Sequence, residues 1–291
     1  MLNQILYTAC VTPFEGDDCR INYQDLKRLL HLQSAAGNGV VLLGSTGEGL
    51  SLTDMERRQL VEFACGLQLP IKIIVGVPSH NLYAALEWLE FCKAMPIDGY
   101  LMTTPIYTKP GIIGQTKWFE KLLDKAAHPA MLYNIPGRAG VALHYDSVRN
   151  LQGHARFKAI KDSSGDHTTV TKYKAAASNI AVYCGDDYMM QTMAEAGAVG
   201  LVSIASNAWP EAVRAYVEES LRQPYLRSTL AQQIGRDLLA ASNPIPIKAL
   251  MKDIGLISQD KVRLPLSMDD LPSRQTLLDH HARTVSFDFQ G

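Results

Sequence analysis

Phe157-Lys158-Ala159-Ile160-Lys161 runs directly into Asp162-Ser163-Ser164-Gly165-Asp166, an apolar stretch that ends on a lysine and meets a cluster of turn formers. A short apolar run bounded by turn residues reads as a strand buried along its length. Its last residue then stands at the rim of a sheet or barrel and carries an amine. The preceding run behaves alike: Ala130-Met131-Leu132-Tyr133-Asn134 continues into Ile135-Pro136-Gly137-Arg138. A phenol and a guanidinium therefore leave the tip of the neighbouring strand.

Outward from this pair the pattern recurs eight times. Strand-like runs are Ile5–Val11, Gly39–Leu43, Ile71–Val75, Gly99–Thr103, Ala130–Tyr133, Phe157–Lys161, Ala181–Tyr183 and Val199–Ile204. Helix-like stretches separate them. Tyr23–Ala36 carries an apolar stripe of Leu26, Leu29, Leu30 and Leu32. Asp54–Gly66 follows Thr53, with Glu56 placed to close a capping box. Near-continuous apolar strands alternating with helices give a parallel sheet covered by helices. Eight such units in about 210 residues predict an α/β fold of the (β/α)8 TIM-barrel type. No Gly-x-Gly-x-x-Gly follows the first run, which counts against a dinucleotide fold. Past Arg222 the strand signal stops, and Leu226–Ala241, Pro246–Ile254 and Met268–Thr284 read as helices. The expected organisation is a catalytic barrel over residues 1–222 and a C-terminal helical region over 223–291 packed upon it.

Composition removes several functions. The 291 residues carry 28 basic and 29 acidic side chains, a net charge of −1, with no basic run, so nucleic acid and anionic membranes lose their electrostatic footprint. No apolar stretch approaches the length of a membrane span. Residues 1–10 lack the charged start of a signal peptide, and a cytoplasmic protein is expected. Cys10, Cys19, Cys65, Cys92 and Cys184 are odd in number and never paired as Cys-x-x-Cys, which fits reduced thiols rather than disulfides or zinc.

In a parallel barrel the site lies at the C-terminal strand ends. The second ends in Gly44-Ser45-Thr46-Gly47-Glu48, where glycines let amide groups and two hydroxyls turn towards a small anion. The fourth leads to Tyr107, the fifth to Tyr133 and Arg138, and the sixth to Lys161. The seventh ends in Cys184-Gly185-Asp186-Asp187 and the eighth carries Val202. The acidic pair reads as the favourable start of a helix. His80, His128 and His144 are scattered, so no metal site is expected. Amine, phenol and guanidinium at one rim are the parts of an enzyme that forms a Schiff base with a keto acid. A lysine that attacks a carbonyl must be neutral, a form that burial favours.

Together these residues resemble the dihydrodipicolinate synthase/N-acetylneuraminate lyase superfamily of Schiff-base barrels. The markers are Gly-Ser-Thr-Gly-Glu from Gly44, Tyr-Asn-Ile-Pro-Gly-Arg from Tyr133 and Ile-Lys-Asp from Ile160. In the tail, Asn243-Pro244-Ile245-Pro246-Ile247-Lys248 and Arg263-Leu264-Pro265-Leu266 resemble the synthase branch of lysine and diaminopimelate biosynthesis. The resemblance implies that Lys161 forms the imine with pyruvate and that Tyr133 is the general acid and base. It makes Ser45 and Tyr107 the other members of a proton relay, Tyr107 acting in a neighbouring subunit of a homotetramer. Thr46 is implied to bind the pyruvate carboxylate. Arg138 is implied to hold the carboxylate of the second substrate, L-aspartate 4-semialdehyde, and Gly185 and Val202 to lie beside the imine. No cofactor is implied, because the lysine is itself the electrophilic catalyst.

Two features depart from the synthase pattern. Synthases usually carry threonine at position 45, and the serine form is familiar from neuraminate lyases. Asp162 replaces a common glutamate and resembles keto-acid aldolases. An N-acetylneuraminate lyase or a 2-keto-3-deoxy sugar-acid aldolase therefore stays open beside the synthase, and a non-catalytic barrel stands third. Lysine-inhibited relatives line an interface pocket with polar residues, whereas the matching positions here are Gly49, Asp54, Arg57, His80, Ala84 and Ile106. Insensitivity to lysine is expected.

Overall fold

The computed structural model describes residues 2–78, 80–225 and 228–286. Eight parallel strands close a barrel: β1 Leu6–Ala9, β2 Gly39–Leu42, β3 Ile73–Val77, β4 Gly99–Thr103, β5 Ala130–Asn134, β6 Phe157–Asp162, β7 Ala181–Cys184 and β8 Leu201–Ser203. Each pairs with its sequence neighbours, and β1 joins β8 to complete the ring. Alternate side chains fill the interior, among them Val41, Ile74, Leu101, Met131, Ala159 and Val202. Tyr7 and Tyr183 meet edge to face inside the barrel, with ring centroids 5.9 Å apart. The opposite faces pack under the helices in a larger apolar core.

The expected barrel is therefore present, with shifted boundaries. β3 begins at Ile73 instead of Ile71, because Ile71 N–H bonds back to Leu69 across Pro70. Ile73 N–H then donates to the Asp98 carboxylate. β8 is confined to Leu201–Ser203, since the Ile204 amide leaves the ladder for the Asp187 carboxylate. Thr53 and Glu56 form the capping box of Asp54–Gly66. A hairpin of Phe14–Glu15 and Arg20–Ile21 was not foreseen in the sequence pattern.

The tail also differs from the expectation. The first helix is Thr229–Asp237, capped by Ser228, and Leu226 and Arg227 lie outside the described residues. Ile245–Asp253 forms nearly as read. Met268–Thr284 is not one helix: a short 3-10 turn at Met268–Asp270 is followed by Gln275–Ser286. Pro272 lies in the break and cannot donate the bond that would continue the turn. Among the described residues no helix is long and apolar enough to cross a membrane, and no cysteine is paired.

Candidate active site

β5 and β6 run side by side with Tyr133 opposite Lys161. Lys161 Nζ lies 4.4 Å from the centroid of the Tyr133 ring, and Lys161 is only 6 % exposed. Strand alternation sends the next residue the other way. Asp162 is buried outside the cavity, where Asn134 Nδ2 (2.6 Å), Ser164 Oγ (2.9 Å) and the Thr169 hydroxyl all donate to it. Burial pushes its carboxyl above the ordinary value, against these hydrogen bonds. Asp162 thus braces β6 from behind and does not face substrate space.

Lys161, Tyr133, Ser45, Thr46, Arg138 and Gly185 line one cavity of about 190 Å³ at the strand ends. The turn after β2 is wound tightly enough to bring Ser45 and Thr46 there. Leu43 and Glu48 both take left-handed conformations, with φ of 59° and 51°. A Cβ on Gly49 would lie 2.2 Å from the Leu43 carbonyl, so only glycine fits. Glu48 is held in its uncommon conformation from the tail: its carboxylate accepts from Lys248 Nζ at 2.5 Å and from Arg263 N–H at 2.9 Å. Among the described residues, the amide N–H groups of Ser45 and Thr46 find no protein acceptor, which leaves them available to an anion.

Arg138 sits on the short helix Pro136–Ala139 and donates from Nη2 to the Asn243 carbonyl at 3.0 Å. Gly185 lies close behind the lysine. A Cβ there would be 2.0 Å from Ser163 Oγ and 2.8 Å from Lys161 Cε. The acidic pair begins the 3-10 turn Asp187–Met189 as expected, but the Asp186 side chain makes no capping bond. Asp187 is buried and accepts from the Ser203 hydroxyl, Ile204 N–H (2.8 Å) and Ala205 N–H (3.4 Å), fastening the turn after β8. Asp186 lines the cavity, and burial pushes its carboxyl up to about 6 while Lys161 opposes the shift.

A model of the dihydrodipicolinate synthetase family matches residues 2–281. The chain belongs to that family. It is 61 % identical over 277 residues to the 4-hydroxy-tetrahydrodipicolinate synthase of Wolbachia pipientis subsp. Culex pipiens (strain wPip), covering 95 % of this chain and 94 % of that one. It is 49 % identical over 265 residues to the Chlamydia pneumoniae enzyme of the same name, covering 91 % and 90 %. Among solved structures, the 4-hydroxy-tetrahydrodipicolinate synthase of Methylacidiphilum fumariolicum SolV superposes with a TM-score of 0.89 at 29 % identity, covering 98 % and 97 %. The chloride-inhibited dihydrodipicolinate synthase of Acinetobacter baumannii, solved with pyruvate, gives 0.87 at 28 %, covering 96 % and 97 %.

In this member of the dihydrodipicolinate synthetase family, two of the eight candidate residues lie away from the cavity. Val202 is packed inside the barrel, and Ile204, one pleat nearer the rim, lines the cavity instead. Tyr107 is 92 % exposed, at φ 68°, and Ile113 is exposed as well. Three polar cavity residues escaped sequence reasoning. Ser163 Oγ donates to the Tyr133 hydroxyl at 3.4 Å; its place two residues after Lys161, on the same side of an extended chain, was the available signal. Asp186 was read as a helix start. Asn243 belongs to the tail and gave no sign of reaching the rim. A second cavity of about 400 Å³ shares Ser45, Tyr133, Arg138 and Asn243, and extends over Leu50, Ile106 and Leu266.

Proposed function

We propose that this dihydrodipicolinate synthetase family member is a 4-hydroxy-tetrahydrodipicolinate synthase that condenses pyruvate with L-aspartate 4-semialdehyde. The observation that carries the reading is the convergence of Lys161, Tyr133 and Arg138 on one cavity. The names of relatives up to 61 % identical support it. Lys161 Nζ attacks the pyruvate carbonyl to form a carbinolamine. Tyr133 gives a proton to its hydroxyl, which leaves as water, and the imine forms. Tyr133 then takes a proton from C3, and the resulting enamine attacks the aldehyde carbon of the semialdehyde. The amino group of the new chain displaces Lys161 by transimination and closes the ring. Thr46 and the neighbouring amides hold the pyruvate carboxylate. Arg138 holds the carboxylate of the second substrate, where its planar fork is suited to bidentate contact.

Ser45 is read as part of the proton relay, with Tyr107 supplied by an adjacent subunit of a homotetramer in the cytoplasm. The exposure of Tyr107 supports that assignment. Ser45 and Asp162 are the two residues that favour a sugar-acid aldolase, although Asp162 faces away from substrate space. Arg138 on the cavity wall favours a carboxylated aldehyde.

Borohydride trapping with pyruvate, joined to a coupled assay with the semialdehyde and dihydrodipicolinate reductase, tests the proposal. An adduct of about 72 Da on Lys161 with turnover of the semialdehyde is expected. The adduct without turnover would transfer the substrate to the aldolases, and no adduct would overturn the Schiff base.

A further inference from the structure

Asn243 touches both carboxylate-binding residues of the proposed site. Its side-chain Nδ2 donates to Thr46 Oγ1 at 2.9 Å. Its backbone carbonyl accepts from Arg138 Nη2 at 3.0 Å. Both Thr46 and Asn243 are buried, and both line the cavity that contains Lys161.

The direction of the first bond matters. A threonine hydroxyl has one proton to give and two lone pairs. An amide donor fills a lone pair and leaves the proton free for an acceptor in the cavity. An acceptor at the same place would consume the proton. Asn243 presents the donor, and among the described residues its buried Oδ1 has no protein partner. Leaving a buried carbonyl unpaired is unfavourable, so this polar arrangement is not one that stability alone selects.

We propose that Asn243 is a positioning residue for the keto acid: its amide holds Thr46 so that the hydroxyl proton faces the pyruvate carboxylate. The inference rests on the Schiff-base reading above, and it adds a specificity. Because Arg138 is held by the Asn243 backbone, replacing the side chain disturbs only the pyruvate end.

The test is the rate of borohydride trapping against pyruvate concentration, which needs no aldehyde, for the full-length protein and four variants. Asn243→Ala raises half-saturating pyruvate roughly tenfold, the effect of weakening one hydrogen bond to a charged group. Thr46→Val raises it at least as much. The double variant matches Thr46→Val alone, because Asn243 acts only through the hydroxyl. Asn243→Asp, which offers an acceptor and a negative charge, is worse than Asn243→Ala. In the coupled assay the KM for the semialdehyde stays within about twofold of wild type in Asn243→Ala. Should Asn243→Ala not fold, Asn243→Ser takes its place with the same expectation.

Unchanged half-saturation in Asn243→Ala overturns the proposal. So does a double variant in which the two effects multiply to about a hundredfold, or a semialdehyde KM that rises in step with that for pyruvate. Wild-type protein that traps no pyruvate sinks the underlying reading instead. Wild type that traps pyruvate without using the semialdehyde corrects the second substrate, and the trapping series still decides the role of Asn243.

Discussion

Glu48 and Lys248, 200 residues apart in the chain, meet as an ion pair with side chains 1 % and 0 % exposed. Lys248 Nζ also donates to the Lys261 carbonyl at 2.8 Å and stands 4.1 Å from the centroid of the Phe14 ring. Removing one member leaves the other charge buried and unpaired, which costs about 3–5 kcal/mol, whereas replacing both with neutral groups of similar shape is far milder. Lys248→Ala is therefore expected to lower stability by about that amount. Glu48→Gln with Lys248→Met should recover most of the loss, as read by urea denaturation at neutral pH. Equal losses in the single and double variants would contradict this account.

Arg263 grips Glu56 through both terminal guanidinium nitrogens, at 2.8 Å and 2.5 Å. This bond, more than any other influence, holds the Glu56 carboxyl down to about 2. A carboxyl depressed on folding contributes stability above its unfolded value, near 4.5, and loses it as pH falls towards 2. The contribution is about 3 kcal/mol at 1.36 kcal/mol per unit. Glu56→Gln should be less stable than wild type at pH 6, with the gap closing between pH 4.5 and 2.5. Denaturation midpoints across that interval measure it.

Asp186 behaves in the opposite sense. Burial raises its carboxyl to about 6, so its stabilising share is complete below the unfolded value near 4 and disappears as pH rises through 6. Asp186→Asn should be more stable than wild type by about 2–3 kcal/mol at pH 8 and no more stable at pH 4. Paired thermal melts at the two pH values decide the matter. A constant difference would show that the charge of Asp186 is not its origin.

Ser163 is the described side chain whose hydroxyl reaches that of Tyr133. The 3.4 Å separation marks a weak bond, and its loss is expected to lower kcat by about three- to tenfold while KM for pyruvate barely moves. Ser163→Ala in the coupled assay provides the number. A change confined to KM would assign Ser163 to substrate binding instead.

L-Lysine at millimolar concentration is expected to leave activity unchanged. The resemblance to lysine-inhibited relatives calls for a glutamate and a tyrosine where this chain has Ala84 and Ile106. Ile106 lines the larger cavity with an apolar side chain, and the Ala84 amide is occupied by the Asn81 cap. Steady-state rates with added lysine suffice as the check, and strong inhibition would refute the expectation.

Much of this site could be read from local sequence because it lies at the ends of buried strands. Tyr133 and Lys161 close two apolar runs, and parallel pairing then sets them opposite one another without further information. The Ser45-Thr46 turn announces itself through its glycines. Other parts depend on contacts that local sequence does not encode. Ile204 reaches the cavity because Asp187, from a different turn, draws its amide out of the ladder. Asn243 arrives through the packing of the tail, nearly 200 residues after Thr46. Asp162 looked like a marker of substrate type. The pleat turns it towards Asn134 and Thr169 instead.

Gly185 bears on how such a site can change over time. The wall it forms behind Lys161 is bare backbone, and any side chain there would collide with Ser163 Oγ and Lys161 Cε. Mutation can therefore not reshape that wall while the lysine keeps its position. New aldehydes must be accommodated elsewhere on the rim, around Ile135, Arg138 and the larger cavity. Variation in substrate preference is channelled to one flank of the rim, and a directed-evolution library should spend its diversity there.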